Sequence, residues 1–586
     1  MKICPLRQQV LDCKGHVVVI GGPGSGKTTL ALKKALLRIE EGILPGQSVL
    51  FLSFSRAAVA RILQASKAEV SRKNRSLLNV QTFHSFFWEM LSAHAYLIGA
   101  KKPLTILMPQ DEKALSGGIN PKKKPAEWAV WLKERDRLFI EEGRIAFDLF
   151  APNVAHLLEC SALLNRLIAE KYPLVVVDEA QDTGPDAWRC IELLAPFTQV
   201  LCLADLEQQI FDHLPGIGPE RLAAISHALT PLEIDLGTEN LRSPGSEIAT
   251  FGQDVIKATT RPQGYKGVTS MTFNQNADLG ATLRRALGCL QREVKADTGV
   301  WADSIAILVP SAPEATAVSK GLNSGAKPVP HKLLFDEAEA LLASRFAAYL
   351  LEPKQSVAET RQVADGLVLL ADMRKAGAAM TDANRLLGWA VKAQAGKIPS
   401  AGLITELRSL LKALITVHLS GDPAKDWIAI KKALRASKEG IFVTVANHLD
   451  YLVAFNRGKR ISSGLGEAWM RFGEYRDARG VLDAALAQDL ILDGIDDPSG
   501  IQVMTIHKSK GKQFDGVLIL RRGRHNGSKI VSTFIWRDDI PPYRRSRKIL
   551  MVAITRARSH TLVLQQIWPM CPIMSQHPLR SSFEIA

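Results

Sequence analysis

The chain has 586 residues, of which 46% are hydrophobic and 23% are charged. This length is too great for one hydrophobic core and this composition is ordinary for a globular protein, which excludes a single-domain fold and a disordered chain. The formal net charge of +15 favours a polyanionic partner, because clustered lysine and arginine side chains release counterions from phosphate.

The cysteines and the first residues exclude several further classes. The seven cysteines are scattered without a CxxC pair, which disfavours zinc ribbons, thioredoxin-like chemistry and a disulfide framework. The opening stretch MKICPLRQQVLDCKG lacks the apolar core of a signal peptide, and no apolar run is long enough to span a bilayer. The sequence therefore predicts a soluble cytoplasmic protein with no membrane partner.

A glycine-rich turn between a predicted strand and a predicted helix comes first along the chain. Val17 to Ile20 are apolar and β-branched, as in buried parallel strands, and a helical pattern begins at Thr29. Between them lies GGPGSGKT, the pattern of a P-loop, in which backbone N–H groups surround phosphate oxygens at a helix N-terminus. The predicted phosphate-binding residues are Gly21, Gly22, Pro23, Gly24, Ser25, Gly26, Lys27, Thr28 and Thr29.

A stretch that is both basic and aromatic follows, NPKKKPAEWAVWLKERDRL. It places Lys122, Lys123 and Lys124 just before Trp128 and Trp131. Basic and aromatic side chains together suit a nucleic-acid groove. An exposed loop leading into a helix with a buried tryptophan face fits the same pattern, and both interpretations remain open.

A second apolar strand carries two acids, in YPLVVVDEAQDT. Leu174 to Val177 form the predicted strand, and Asp178 and Glu179 follow it directly. A P-loop protein needs a second strand with a carboxylate linked to the metal. Asp178 is therefore expected to hold Mg²⁺ together with Thr28, and Glu179 to polarise the attacking water. The two motifs predict ATP hydrolysis.

Two basic stretches lie near residue 550. Arg544, Arg545, Arg547 and Lys548 form a run that we interpret as a solvated helix start, with phosphate contact as the alternative. The stretch ITRARS then places Arg556 and Arg558 between two apolar runs. Basic residues beside a buried strand need an anionic partner.

The motifs and their order resemble those of the UvrD/Rep/PcrA-like superfamily-one DNA helicases. The likeness extends to further stretches, which are VLFLSFSRAAVARI, VQTFHSFFWEML, LCLADLEQQIF, GTENLRSP, VMTIHKSKGKQF and ILMVAITRAR. VQTFHSFFWEML, similar to the family's GTFHSL, is the most specific. The resemblance implies an α/β fold with two RecA-like P-loop motor domains, each a parallel sheet flanked by helices, and mostly helical inserted subdomains.

The resemblance also implies roles at the nucleotide. The catalytic set that it implies is Lys27, Asp178, Glu179, Gln181, Arg242 and Arg556. Gln8, with Gln9 as the alternative, would read the adenine edge, and Gln208 and Gly511 would also contact ATP. Arg556 would be an arginine finger that reaches the γ-phosphate from the second motor domain, whereas Arg558 would be structural.

A second set of residues would contact single-stranded DNA. The resemblance places Phe54, Arg56, Thr82, Phe83, His84, His213, Thr505 and His507 along its path.

Several positions depart from the family pattern. His213 stands where the family has a base-stacking tryptophan, and Leu241 where it has a tyrosine that stacks on adenine. Lys512 and Gln513 replace the Leu-Glu of the family's GLEF, and Met551 replaces a tyrosine. The core hydrolysis set remains intact, so the sequence indicates an active but divergent member.

The motif spacing suggests four subdomains. Motor domain 1A is predicted at residues 1–92 and 170–229, and subdomain 1B at 93–169. Motor domain 2A is predicted at 230–355 and 496–586, with SIAILVPS as a core strand and HKLLFDEAEALLASRFAAYLL as a helix. The mobile, mostly helical 2B is predicted at 356–495.

The function expected from the resemblance is that of an ATP-dependent DNA helicase or translocase that moves 3′-to-5′ on single-stranded DNA and unwinds duplex DNA. The alternative is an ATPase motor subunit that acts with a separate nuclease or other effector in DNA repair or phage defence. An RNA helicase of the same superfamily is a third possibility, and the TFHS and TIHKSKG stretches favour DNA. A non-enzymatic nucleic-acid binder is disfavoured by the intact hydrolysis set.

Overall fold

The computed structural model describes most of the chain. The residues described are 3–54, 56–69, 71–117, 119, 121, 123–205, 208, 220–237, 245–324, 327–334, 338–377, 379–416, 419–451, 459–491, 499–527, 529–537 and 539–582. They belong to two compact units, the first made of Met1–Met90, Ala151–Phe335 and Gly494–Ala586, the second of Leu91–Phe150 and Asp336–Asp493. No helix in these ranges is both long enough and apolar enough to cross a bilayer.

The strands within the described residues are short, as is usual for parallel sheets in α/β proteins. In chain order they are β1 Val17–Ile20, β2 Val49–Ser53, β3 Leu78–Thr82, β4 Thr105–Leu107, β5 Arg144–Ala146, β6 Leu174–Val177, β7 Gln199–Ala204, β8 Leu232–Asp235, β9 Val268–Phe273, β10 Ser304–Val309, β11 Lys332–Leu334, β12 Gly500–Thr505, β13 Phe514–Arg521, β14 Gly523–Asn526, β15 Lys529–Ser532, β16 Ala557–Gln566 and β17 Arg580–Ser581.

The helices are more numerous and longer. In chain order they are α1 Pro5–Asp12, α2 Lys27–Glu40, α3 Arg56–Glu69, α4 Arg72–Arg75, α5 Phe83–His94, α6 Pro109–Leu115, α7 Pro125–Arg137, α8 Phe150–Cys160, α9 Ala162–Lys171, α10 Pro185–Leu194, α11 Glu220–Leu229, α12 Ile248–Lys257, α13 Leu279–Thr298, α14 Ala312–Asn323, α15 Ala338–Leu351, α16 Glu359–Ala376, α17 Met380–Gln394, α18 Gly402–Thr416, α19 Pro423–Arg435, α20 Gly440–Tyr451, α21 Lys459–Phe472, α22 Ala478–Ile491 and α23 Arg544–Ile554.

The first unit contains two parallel sheets. One has the strand order β3-β2-β6-β7-β1-β8, and the other has the order β11-β12-β10-β13-β16-β9-β17. Adjacent strands run parallel throughout both sheets. β2 and β6 are buried at every position and, apart from Ser53, consist of apolar residues, as is typical of strands inside a parallel sheet. The predicted α/β class with parallel sheets is therefore confirmed.

β10 corresponds to the predicted core strand SIAILVPS, and all six of its residues are buried. The neighbouring stretch HKLLFDEAEALLASRFAAYLL was expected to be wholly helical. Its first part instead forms β11, which pairs with β12, and only its second part forms α15. The three residues of β11, Lys332 to Leu334, are too few to show a period of two, which is why the helical pattern of the longer stretch dominated.

The second unit is mostly helical, and α6 shares its core. Met108 and Ala114, from the first chain segment, are buried in one hydrophobic cluster with Phe346 of α15 and Leu367 of α16. Phe346 also stacks on Phe442 of α20, with ring centroids 6.0 Å apart. The two segments of this unit are therefore held together by a common core.

The basic and aromatic stretch also lies in the second unit. Trp131 is buried in a small cluster with Leu107 and Leu138, and Trp128 packs against that cluster. Of the three lysines, Lys122 is outside the described residues. The buried tryptophan face is the interpretation that agrees with these contacts.

The basic run at α23 is not simply a solvated helix start. Arg547 is buried, and its guanidinium donates to the carbonyl oxygens of Val255 at 2.7 Å and Pro542 at 2.9 Å and to Gln576 Oε1 at 2.8 Å. The expectation of a solvated side chain is therefore wrong for Arg547, because this position of α23 faces the protein interior. Arg544 is exposed, as expected.

The ion pairs of Arg345 lead to a prediction for the stability of the second unit. Arg345 donates to Asp111 Oδ2 at 3.0 Å and to Asp483 Oδ1 at 2.9 Å, and its side chain is only 16% exposed. Arg345→Met leaves two carboxylates without their cation and is expected to lower the free energy of unfolding by about 3 kcal/mol. Urea unfolding followed by circular dichroism measures the change.

The matched control is Arg385→Met. Arg385 pairs with Asp382 at 2.9 Å, lies 5.5 Å from the Trp389 ring centroid and has a side chain that is 58% exposed, so its loss is expected to cost less than about 1 kcal/mol. Equal effects of the two substitutions would show that Arg345 has no special role in joining the two segments.

Candidate active site

The P-loop lies where the strand, the loop and the helix were predicted. β1 ends at Ile20, α2 begins at Lys27, and the loop between them turns through Gly24 at φ +88° and Gly26 at φ +84°. Such left-handed conformations favour glycine. Lys27 Nζ donates to the carbonyl oxygens of Gly21 at 2.6 Å and Gly22 at 3.0 Å. The lysine and the loop backbone therefore face one cradle.

Asp178 follows β6 and lies beside this cradle. Its Oδ2 accepts from Ser53 Oγ at 3.4 Å. Burial raises the pKa of Asp178 to about 6, the neighbouring Glu179 adds to this rise, and the charges of Arg61 and Lys27 oppose it. Positive charge close to Asp178 therefore favours its ionised form.

Glu179 is held in a left-handed conformation at φ +55°, which is uncommon outside glycine and concentrates at functional sites. Gln181 Nε2 donates to Glu179 Oε2 at 2.6 Å, and Gln181 Oε1 accepts from the backbone N–H of Asp205 at 3.1 Å. Burial disfavours the ionised form, but Lys510, Lys27 and the bond from Gln181 outweigh it and lower the pKa of Glu179. The surrounding positive charges and this hydrogen bond therefore favour the ionised form of Glu179.

A continuous line of polar contacts joins the P-loop to Arg556. Lys27 Nζ lies 3.6 Å from Asp205 Oδ2, which accepts from Gln208 Nε2 at 2.8 Å. Gln208 Oε1 in turn accepts from Arg556 Nη2 at 2.7 Å. Arg556 is 2% exposed, and its Nε donates to the carbonyl oxygen of Val552 at 2.9 Å. The line links residues of the first sheet to residues of the second.

Burial also affects the pKa of Arg556. It lowers the pKa of the guanidinium to about 10, and the charge of Arg61 adds to this while Glu179 and Asp205 oppose it. Arg558, two residues later, is exposed and lies 3.5 Å from Asp515 Oδ1. The two arginines of ITRARS therefore have different surroundings. Arg556 is close to Glu179 and Asp205, which together with Asp178 and Asp182 are called the acidic cluster below. Arg558 lies at the surface.

Comparison with known proteins agrees with this arrangement. Residues 5–127 and 112–215 match the UvrD/REP helicase N-terminal domain family. YjcD of Bacillus subtilis, provisionally named an ATP-dependent DNA helicase, is 24% identical over 608 aligned residues, which cover 94% of this chain and 77% of YjcD. This chain is similar to the UvrD/Rep-like helicases.

Two further relatives match over shorter regions. DNA helicase II of Haemophilus influenzae is 25% identical over 35% of this chain and 34% of its own length. ATP-dependent DNA helicase PcrA of Staphylococcus aureus is 23% identical over 35% of this chain and 33% of its own length. In both cases the chain matches only about a third of the relative.

Some of the residues that the resemblance assigns to the nucleotide have other surroundings or lie outside the described residues. Gln8 lies on the exposed side of α1, where its Nε2 donates to Asp12 Oδ1 at 2.8 Å. Gly511 is buried and left-handed at φ +79°. Arg242 and Leu241 lie outside the described residues.

The residues expected along the DNA fall into two groups. Phe54 is partly buried and its ring centroid lies 4.7 Å from that of Phe83, which is buried beneath it. Thr82 is also buried, and its Oγ1 accepts from the backbone N–H of Ser85 at the start of α5. His84 is exposed. Thr82 and Phe83 therefore support the surface that Phe54 and His84 present.

The second group follows β12. Thr505 ends that strand and His507 begins the next turn, both partly exposed. The His507 ring lies 5.1 Å from that of Trp536, and the Arg545 guanidinium lies 5.2 Å from the Trp536 ring centroid. His213 lies outside the described residues. Trp536 was missed from the sequence because nothing in its own stretch resembles a family motif.

Lys510 and Asp182 form a second link between the two sheets that sequence reasoning missed. Lys510 Nζ donates to Asp182 Oδ2 and, at 2.7 Å, to the carbonyl oxygen of Gln208. Burial raises the pKa of Asp182 to about 7, and Lys510 opposes this rise. Lys510 stands between His507 and Gly511 in the stretch TIHKSKGKQF, and that position was the available signal.

Arg61 is the other residue that the sequence analysis missed. Burial lowers the pKa of its guanidinium, and the charges of Asp178 and Glu179 oppose this change. It is the second arginine of the stretch SRAAVARI, in which Arg56 alone was selected. Arg61 therefore adds positive charge to the acidic cluster.

The buried pair of Lys510 and Asp182 leads to a prediction. The side chains are only 9% and 3% exposed, so Lys510→Met leaves a buried carboxylate without its cation and is expected to lower the free energy of unfolding by about 3 kcal/mol. Asp182→Asn in the same chain is expected to restore at least half of that loss. Urea unfolding of both single variants and the double variant provides the double-mutant cycle. Strictly additive losses would contradict direct coupling.

Proposed function

We propose that this chain is an ATP-dependent DNA helicase that couples Mg²⁺-dependent ATP hydrolysis to 3′-to-5′ movement on single-stranded DNA and to duplex unwinding. The observation that carries the proposal is the line from Lys27 through Asp205 and Gln208 to Arg556, which connects a phosphate cradle to an arginine from another sheet. The direction of movement rests on the family resemblance.

The residues present fit ATP and Mg²⁺. A Cβ atom at Gly21 would lie 2.7 Å from Ser25 Oγ and 3.3 Å from Leu236 Cβ, so a larger residue there would displace the Ser25 side chain of the loop. The Thr28 hydroxyl and the Asp178 carboxylate are the oxygen donors that Mg²⁺ prefers. Bound Mg²⁺ would neutralise phosphate charge during transfer.

The chain's own side chains would carry the proton and the charge. Glu179, ionised and oriented by Gln181, accepts a proton from the attacking water. Lys27 and Arg556 stabilise the negative charge that develops on the phosphoryl oxygens. Arg242, outside the described residues, belongs to the same proposal as a γ-phosphate contact.

Movement would follow from the contact between the sheets. Because Gln208 bonds both Asp205 and Arg556, a change in the phosphate state at Lys27 reaches the second sheet through side chains already in contact. We assign the two sheets to RecA-like motor domains with the boundaries given above, and 1B and 2B to the inserted segments. ATP binding then closes the cleft between the two motor domains, and hydrolysis opens it.

Single-stranded DNA would lie along the two groups of surface residues. Phe54, Arg56 and His84 form the first contact surface, and Thr505 and His507 form the second. Trp536, whose ring lies 5.1 Å from that of His507, adds an aromatic ring of the kind on which bases stack. It would compensate for the histidine at position 213.

A second candidate function is that of a motor subunit in the cytoplasm that needs a separate nuclease or repair or defence partner to act on duplex DNA. The observation that favours it is the loss of the family's stacking tryptophan and tyrosine at His213 and Leu241. Such losses weaken the binding of single-stranded DNA without removing the residues that hydrolyse ATP.

Strand displacement distinguishes the two. Duplexes with a 3′ or a 5′ single-stranded tail are incubated with ATP and Mg²⁺, and ATP hydrolysis is followed in parallel. We expect unwinding of the 3′-tailed duplex alone, and its loss in Lys27→Ala. DNA-stimulated hydrolysis without displacement would favour the partner-dependent motor, and stimulation by RNA but not DNA would contradict a DNA substrate.

The two neighbouring arginines provide a sharper test of the mechanism. Arg556→Ala is expected to lower kcat for ATP hydrolysis by about 10³ because an arginine that neutralises the transferring phosphoryl group is worth that much. Arg558→Ala removes only a surface contact to Asp515 and is expected to change kcat by less than about threefold. A steady-state ATPase assay with single-stranded DNA measures both. Similar rates for the two variants would exclude Arg556 as the arginine finger.

A further inference from the structure

Arg7, which lies next to the glutamine expected to read adenine, is turned toward the P-loop. It is 4% exposed, and its Nη2 donates to the carbonyl oxygen of Ser25 at 3.1 Å. Gln8, by contrast, is exposed and bonded to Asp12. The side chain that α1 directs at the phosphate cradle is therefore a cation.

The carbonyl group that Arg7 binds lies in the most conformationally permissive part of the loop. Ser25 stands between Gly24 and Gly26, both left-handed and therefore conformationally permissive. In a trans peptide the C=O of Ser25 and the N–H of Gly26 point in opposite directions from one rigid plane. A donor that fixes the Ser25 carbonyl thus fixes the direction of the Gly26 N–H, which is one of the phosphate donors of a P-loop.

A second basic side chain ties α1 to α2 in a different way. Lys34 is also buried, and its Nζ donates to the carbonyl oxygens of Leu11 at 2.6 Å and Cys13 at 2.5 Å. These acceptors belong to the carboxyl end of α1 and its next residue, not to the P-loop. Lys34 therefore tethers the same helix without touching the cradle.

We propose that Arg7 is a positioning residue for the phosphate cradle: by holding the Ser25 carbonyl it orients the Gly26 N–H toward bound phosphate. The inference rests on the proposed nucleotide site and extends it to a residue outside the P-loop itself. Because Arg7 acts on the cradle, its contribution is the same whichever base the nucleotide carries.

The test compares Arg7→Met, Arg7→Lys and Lys34→Met in the full chain. ADP, GDP and inorganic pyrophosphate, each with Mg²⁺, are titrated by isothermal calorimetry, and thermal unfolding is recorded for every variant. Arg7→Met is expected to weaken all three probes by a similar factor of about ten, the usual effect of losing one hydrogen bond from a charged donor. Arg7→Lys is expected to recover part of the affinity, since an ammonium can still donate to Ser25.

Lys34→Met is the matched control, because it removes a buried tether of α1 and is expected to change the three affinities by less than about twofold. Equal losses in Arg7→Met and Lys34→Met, or unchanged binding by Arg7→Met, would overturn the inference and leave the nucleotide site intact. A loss confined to one base would assign Arg7 to base recognition instead and overturn it as well. A wild-type chain that binds none of the three probes would contradict the proposed function itself, and this inference with it.

Discussion

The hydrogen bond from Arg556 to Gln208 is the contact on which the candidate site depends. Gln208 has one amide, and it uses the nitrogen toward Asp205 and the oxygen toward Arg556. The donor and acceptor ends of one side chain therefore connect the acid beside Lys27 to the arginine of the second sheet. Because Asp205, Gln208 and Arg556 are buried, the local dielectric constant is low. A change of charge at one end of this contact therefore has a strong electrostatic effect at the other end.

The cluster around this contact contains carboxyls that differ in character because their surroundings differ. Burial raises the pKa of Asp178 and of Asp182, whereas nearby cations and a hydrogen bond lower that of Glu179. Neighbouring acids whose pKa values are separated by their surroundings can take different protonation states in one site. Lys510 and Lys27 lower the pKa of Glu179, whereas burial outweighs the opposing positive charges at Asp178 and Asp182.

Much of the site could be read from the sequence because its motifs are local. The P-loop, the strand before Asp178 and the pair Arg556 and Arg558 each occupy a few consecutive residues with a defined chemical pattern. Lys510 and Arg61 could not be selected in this way, since their value comes from contacts with residues that are distant in the chain. Gln8 and Arg7 show a further limit, because the pattern LRQQV does not indicate which side of α1 faces the loop.

The fold shows the same division. The buried strands of both sheets follow directly from apolar β-branched runs, and β10 was predicted on that basis. The three residues of β11 were predicted as part of a helix, because the longer stretch around them has a helical pattern. The interior position of Arg547 depends on contacts with α12 and with residues near 576, which the local sequence pattern cannot reveal.

The shared core of the second unit has a consequence for biosynthesis. α6 is made early, yet the helices that bury Met108 and Ala114, α15 and α16, belong to a much later part of the chain. The second sheet has the same history, because β10 is made before α16 and its neighbours β12 and β13 after α22. On the ribosome, the apolar surface of α6 and the unpaired edge of β10 therefore remain exposed until their partners have been synthesised. Such delayed contacts between distant parts of the chain slow folding and expose the nascent chain to aggregation.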